Sequence, residues 1–290
     1  MAARAVKCAA SVAALLGEGP LWDPRIGRLL FLDIKDSKLF LYDPKGADIE
    51  THSLPVMVSA LGLRRQGGYV CAHRGGFAFL NVGVDGVEVE EIVDPEADRP
   101  GNRFNDGKVD PFGGFWAGTM DDRENDDEAG SWWRLAPDLT VSKIDAGFHV
   151  TNGPAFDSAR NRVYFTDSAR RRIFAGDLVA DGFKNKRVFL EFDERSGFPD
   201  GMEVGAEGDL WVAFWDGAAV RRFSPEADPL EAIVVPAPRP TSIAFEGRRA
   251  YVTSARIGLD AGALEKSPDA GALFEIGPGA PSNIVRYFEG

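Results

Sequence analysis

LLFLDI, residues 29–34, decides the fold because it recurs. Matching β-like stretches follow as YVCAH from Tyr69, FWAGT from Phe115, VYFTDS from Val163, LWVAFW from Leu210 and AYVTSA from Ala250. With Phe31, Val70, Trp116, Tyr164, Trp211 and Tyr251 taken as matching positions, the separations are 39, 46, 48, 47 and 40 residues. A period in the forties marks an array of one supersecondary unit. Each stretch follows a turn rich in Gly, Asp, Pro or Arg (DPRIGR, RQGG, DPFGG, DSARN, GAEGD, EGR), the punctuation expected between antiparallel strands. Each precedes a second strand-like run: KLFLYDP, GGFAFLN, GSWWRLAPD, RRIFAGDL, AAVRRFSP and GALFEIGP. Six units in 290 residues leave about 48 residues each, the length of a four-stranded propeller blade. The chain therefore reads as all-β, a six-bladed β-propeller with four antiparallel strands per blade, forming one domain over 1–290. A large β-sandwich or two small barrels also show short strands and regular turns, but not six units of one period.

Composition narrows the partners. Hydrophobic residues at 44% and charged residues at 27% belong to a soluble globular protein. A net charge of −12 argues against nucleic acid and anionic membranes, which select for clustered Lys and Arg. No apolar run approaches the length of a membrane span. The two cysteines, Cys8 and Cys71, form neither a CxxC pair nor a disulfide framework, so a reducing cytoplasm and two small buried side chains are expected. The opening MAARAVKCAASVAALLG faintly mimics a signal peptide, but the apolar run is short, Ala-rich and continuous with GEGPLW.

In LLGEGPLW, residues 15–22, Glu18 stands between two glycines among apolar neighbours. A lone ionised carboxylate away from water is costly, so the glutamate is either in an exposed turn or has a partner. The repeat decides between these. Ten to thirteen residues ahead of each anchor stand EGPLWD, ALGLRR, NDGKVD, NGPAFD, DGMEVG and TSIAFEG. Four of the six begin with a polar residue followed within two positions by Gly: Glu18, Asn105, Asn152 and Asp200. In a propeller these strands line the central channel, so the four side chains are predicted to converge at the axis, beside glycines that ease backbone crowding. Two carboxylates and two carboxamides at close range recruit a cation or raise one another's pKa. All four are hard oxygen donors, which suits one divalent ion such as Ca²⁺, Mg²⁺ or Mn²⁺, with Zn²⁺ less favoured. The bland alternative is a hydrogen-bonded polar plug closing the channel.

At these residues the chain resembles the senescence marker protein, regucalcin and gluconolactonase family. The resemblance runs nearly end to end: LLGEGPLW with LLFLDI, RFNDGKVDPFGGFWAGTM (103–120), VTNGPAFD (150–157), PDGMEVGAEGDLWVA (199–213) and YVTSARIGL (251–259). It implies a six-bladed propeller with one axial divalent cation and, among the enzymes, hydrolysis of sugar lactones to aldonic acids. Carried over by position, Glu18, Asn152 and Asp200 match the metal ligands, Asp200 also the general base, and Arg103 and Asn105 the substrate-holding pair. After GTM the family often has an acid that touches the sugar. Here DDRENDDEAG (121–130) puts Arg123 where that acid is sought, leaving Asp121 or Asp122 to substitute. The same segment also reads as a solvated acidic loop or a selectivity lid.

Other chemistries lack support. There is no GxSxG elbow, P-loop or HExxH, and His52, His73 and His149 share no metal-like spacing, although His149 lies near Asn152. The expected partner is a small sugar lactone (glucono-, xylono- or arabinonolactone, or another), and the expected state a monomer or weak dimer. Two rival functions remain: a calcium-binding regulatory protein, and a propeller esterase or organophosphatase, against whose apolar pocket rim Arg103 and Asn105 argue.

Overall fold

The computed structural model describes residues 4–125, 128–277 and 285–290. Nearly all of it is strand: six antiparallel sheets, each with four strands in antiparallel succession, arranged as the blades of a six-bladed β-propeller. The leading strands are Gly17–Asp23, Val58–Arg64, Asn102–Val109, Thr151–Asp157, Phe198–Val204 and Pro240–Glu246. The recurring aromatic stretches form the second strands, from Arg28–Asp33 in blade 1 to Arg249–Ser254 in blade 6. All six anchors are buried.

Burial falls from the first strand of a blade to the fourth. Thr151–Asp157 is buried throughout, whereas the fourth strands Asp48–Ser53 and Pro229–Val234 are largely exposed. The sequence follows that gradient: small and apolar residues fill the first two strands, and runs such as GVEVEEIV and GFKNKRVFLE form fourth strands. Charged fourth strands also keep an open sheet edge from pairing with another chain.

The chain divides into two compact units of three blades each. One comprises Met1–His52 with Phe192–Ile284 and holds blades 1, 5 and 6; the other comprises Ser53–Glu191 with Val285–Gly290 and holds blades 2, 3 and 4. Within each, the core lies between the faces of successive blades. In the first unit Trp211, Val220, Phe245 and Phe274 fill one layer, and Phe31, Tyr42, Tyr251 and Leu273 fill another. In the second, Phe77, Phe104 and Phe115 pack between blades 2 and 3, and Trp116, Trp132, Phe156 and Phe165 between blades 3 and 4.

Both chain ends are tied into sheets. Ala5–Ala10 pairs antiparallel with Leu273–Gly277 and completes blade 6, so the apolar N-terminal run becomes a strand; residues 1–3 lie outside the described residues. Tyr287–Phe288 adds a fifth strand to blade 2, parallel to Val58–Arg64, a pairing the sequence pattern did not announce. It covers the open edge of a leading strand and buries Phe288. The one α-helix among the described residues, Ala261–Lys266, is six residues long, and no helix among them is long and apolar enough to cross a membrane.

The two cysteines differ, contrary to the expectation that both are buried. Cys71 is fully enclosed in the second strand of blade 2, and burial pushes its thiol well above the ordinary range. Cys8 is exposed, because Ala5–Ala10 is the outer edge of its sheet and a register shift follows Cys8. Its thiol is raised more modestly, first by partial burial and then by Asp269. A thiol reagent at neutral pH is predicted to label one thiol per native chain, slowly and at Cys8, and the second only after unfolding. Peptide mapping that finds Cys71 labelled in the native protein contradicts this packing.

Candidate functional site

Every leading strand carries one extra residue relative to its partner strand, at the same point of each blade. The ladder slips between Glu18 and Leu21, Val58 and Ala60, Phe104 and Gly107, Asn152 and Ala155, Pro199 and Met202, and Pro240 and Ile243. Such bulges re-aim side chains and interrupt pairing. Glu18 and Asn152 hold the last paired position before the bulge, opposite Leu32 and Thr166. Asn105 and Asp200 lie inside it, one register step further on. The predicted quartet is thus two pairs. Glycine serves the bulges in two ways. Gly19 adopts φ 55°, a left-handed conformation that L side chains resist, and the Glu18 carboxylate accepts from its N–H at 3.0 Å. Gly201 lies where any Cβ would strike the Ser242 side chain of the neighbouring blade.

In the unit of blades 2 to 4, the bulges support a buried chain of hydrogen bonds. Arg103 Nη1 donates to Asn105 Oδ1 at 2.7 Å, and Asn105 Nδ2 donates to Asn152 Oδ1 at 2.9 Å. Asn152 Nδ2 donates to Ser168 Oγ at 2.8 Å. Asn105 Nδ2 also donates to the Thr151 carbonyl at 2.8 Å, so both its amide hydrogens are committed and a ligand would meet only its oxygen. At the other end Arg103 Nε donates to Asp122 Oδ1 at 2.7 Å, and Asp122 Oδ2 accepts from Arg74 Nη1 at 3.1 Å. Arg103, Asn105 and Asn152 are each at least nine-tenths buried. A buried polar chain of this kind fixes rotamers, because breaking one link strands a polar group away from water.

Asp121 and Asp122 separate into two roles. Asp122 bridges Arg103 and Arg74, while Asp121 accepts from the backbone N–H groups of Asn125, at 2.8 Å, and Arg123, at 3.4 Å, closing the turn that follows the strand Phe115–Asp121. Of the acidic segment 121–130, Asp126 and Asp127 lie outside the described residues. His149 stands apart from the chain of bonds; its ring nitrogen lies 3.4 Å from the Glu124 carbonyl.

Sequence reasoning overlooked Arg74 and Ser168 and left Asp122 unresolved. One signal unites the three: each is the first residue after the second strand of its blade, following His73, Asp121 and Asp167. Asp106, next to Asn105, is buried and has a structural task. Its oxygens accept from Gly107 N at 2.7 Å and from Gly153 N at 2.9 Å, stapling the bulge of blade 3 to that of blade 4.

In the unit of blades 1, 5 and 6, Glu18 and Asp200 are both buried carboxylates on bulged strands. Thr241, in the bulge of blade 6, donates through its hydroxyl to the Gly17 carbonyl at 2.5 Å and joins that bulge to the leading strand of blade 1. Among the described residues no group of three or more His, Cys, Asp or Glu side chains is gathered in a metal-ligating cluster. The anticipated ligand set has two carboxylates and one carboxamide, a different composition.

Six bulged blades and a buried chain of guanidinium, carboxamide and hydroxyl groups define a β-propeller whose leading strands carry a polar site. The chain belongs to the family described as SMP-30/Gluconolactonase/LRE-like region, which matches residues 16–256. It is 34% identical to regucalcin of Xenopus laevis over 281 residues, 93% of each chain. It is 33% identical to the 6-deoxy-6-sulfogluconolactonase of Pseudomonas putida over 290 residues, 98% of this chain and 99% of that one. Among solved structures it is similar to a calcium-binding protein, regucalcin, of Agrobacterium tumefaciens, with 29% identity, a TM-score of 0.93 and 99% of both chains covered.

Replacing Asp106 by Ala leaves the N–H groups of Gly107 and Gly153 without this acceptor. At roughly 1–3 kcal/mol for each of the two orphaned buried groups, the variant is expected to lose about 2–6 kcal/mol of stability in urea unfolding followed by tryptophan fluorescence. A loss below about 0.5 kcal/mol, the scatter of ordinary surface substitutions, contradicts the staple.

Proposed function

We propose that this chain hydrolyses a sugar lactone to its aldonic acid, with one divalent cation held by Glu18, Asn152 and Asp200. The observation that carries the reading is the buried link Arg103–Asn105–Asn152. It sets a donor-only guanidinium, suited to sugar hydroxyls and a carbonyl, in register with a carboxamide oxygen suited to a hard cation. The lactonase named among the relatives and the calcium-binding description of the Agrobacterium protein support the same reading.

The residues fit such an ion by donor chemistry. Glu18 and Asp200 are buried and anionic by type, and the Asn152 oxygen accepts one hydrogen bond while its nitrogen is committed to Ser168. An amide oxygen has two lone pairs, so one is left for a cation. Oxygen ligands without Cys or His favour Ca²⁺, Mg²⁺ or Mn²⁺ over softer ions. When bound, the cation supplies Lewis-acid polarisation of the lactone carbonyl, an effect worth several kcal/mol as the oxyanion develops.

The chain's own residues do the rest. Arg103, held by Asp122, donates to ring hydroxyls and orients the lactone. Asn105 offers its carbonyl oxygen to a sugar hydroxyl and keeps Arg103 and Asn152 in fixed relation. Asp200 accepts a proton from the attacking water and returns it to the ring oxygen as that oxygen leaves, a role worth about 10²–10⁴-fold. A carboxylate that also serves as a metal ligand is a weak base, adequate for an activated ester and too weak for aliphatic amides.

Chelation of divalent ions is expected to abolish lactone hydrolysis and re-addition of one ion to restore it. Full activity in a rigorously metal-free preparation contradicts the reading. Tight Ca²⁺ binding without metal-dependent hydrolysis favours instead a calcium-binding protein, as the Agrobacterium regucalcin is described. Asp200→Asn keeps an oxygen ligand and loses the base, so kcat should fall about 10²–10⁴-fold even at saturating metal. Glu18→Gln keeps the base, so raising the metal concentration should recover most of its activity. Equal recovery by the two variants removes Asp200 as the base.

A further inference from the structure

We propose that the lactone taken by this chain carries an anionic substituent, a phosphate, sulfonate or carboxylate, received by Arg74 and Arg123 beside the Arg103 site. The inference rests on the lactonase reading and concerns the substrate class of that same site. Two clefts that share Arg74 and Pro100 lie in the unit of blades 2 to 4, and Arg103 lines the first of them. One, of about 210 Å³, is walled by Arg74, Arg99, Arg103 and Asn102; the other, of about 410 Å³, by Arg74, Pro100, Asp122, Arg123 and Asn125. Four guanidinium groups thus face two adjoining clefts, in a chain of net charge −12. The same walls also carry four carboxylates, Asp94, Glu96, Asp121 and Asp122.

The acidic residues of the same walls are already engaged. Glu96 accepts from Thr119 Oγ1 at 3.0 Å, Trp133 Nε1 at 2.8 Å and Asn102 Nδ2 at 2.7 Å. Asp94 accepts from the Glu96 N–H, Asp121 closes the 121–125 turn, and Asp122 is shared by Arg103 and Arg74. The arginines are engaged unevenly. Arg99 donates to the Ala129 carbonyl. Arg74 is about half exposed, and its bond to Asp122 is its only side-chain hydrogen bond among the described residues. Arg123 is exposed, and its guanidinium has no hydrogen-bond or ion-pair partner among the described residues.

Arg74 with a single side-chain bond and Arg123 with none among the described residues, grouped at a cleft beside a sugar-binding arginine, offer the planar fork that holds an oxyanion. The turn that carries Arg123 is fixed: the Asp122 N–H donates to the Gly101 carbonyl at 3.0 Å, and Asp121 holds the next amides. Arg123 also stands where the resemblance calls for an acid, and that exchange reverses the charge offered to the substrate's periphery.

The test compares aldono-1,5-lactones that differ only at the terminal carbon, bearing hydroxyl, phosphate, sulfonate or carboxylate, with the metal-loaded full chain at low ionic strength. At least one charged lactone is expected to exceed the neutral one in kcat/KM by roughly tenfold, the order of one charge-assisted hydrogen bond. The preference should shrink as salt is raised, because Arg74 and Arg123 are solvent-accessible. Arg123→Gln should lower the charged-to-neutral ratio by about tenfold, and because Arg123 is exposed the variant is expected to fold. The ranking of the three anions identifies the group. Hydrolysis of all four lactones at similar kcat/KM, or an unchanged ratio in Arg123→Gln, overturns the anionic-substituent proposal and leaves the lactonase reading standing. Hydrolysis of none, with any divalent ion, overturns both.

Discussion

The extra residue in each leading strand is the constraint on which the candidate site depends. A regular antiparallel ladder commits every backbone group and sends successive side chains to opposite faces. One inserted residue frees a short stretch of ladder and turns its side chains out of the pleat. This happens at the same point in all six blades, with Gly19 and Gly153 at positive φ in two of them. Glu18, Asn105, Asn152 and Asp200 sit at these interruptions, and Arg103 holds a paired position just ahead of one, opposite Met120.

Polar groups held in buried strands must be satisfied, and the unit of blades 2 to 4 satisfies them by linking one blade to the next. Arg74 at the end of a strand in blade 2 reaches Asp122 in blade 3; Arg103 and Asn105 continue the chain; Asn152 and Ser168 end it in blade 4. The Asp106 carboxylate, accepting from the Gly153 N–H, ties the same two bulges. Hydrophobic layers between successive blades fill the core of each unit without themselves satisfying polar side chains. Directional bonds between bulges fix how one blade's site residue stands to the next, which is what positioning a ligand requires.

Much of this was legible in the sequence. Six aromatic stretches of one period gave the blades, and all six anchors are core residues, because a propeller repeats its packing as well as its chain path. The polar positions ahead of the anchors were legible for the same reason. Their registers were not. The hairpin turn between Val109 and Phe115 has five residues and that between Asp23 and Arg28 four, so counting residues hid the one-step difference between Asn105 and Glu18. The parallel strand Tyr287–Phe288 escaped notice because two residues carry no periodicity. Asp121 and Asp122 are adjacent and chemically alike; which caps the turn and which meets Arg103 depends on strand pairing that local sequence does not encode.

The central claim is that Glu18, Asn152 and Asp200, each at a bulge of a different blade, share one divalent ion. The most direct measurement is a crystal structure of the protein grown with Mn²⁺, with the ion located by its anomalous scattering. The account predicts one strong peak coordinated by side-chain oxygens of all three residues, at about 2.0–2.6 Å, the range of hard-cation oxygen ligands. A peak bound elsewhere, or none at saturating Mn²⁺ with the three side chains well ordered, would contradict it.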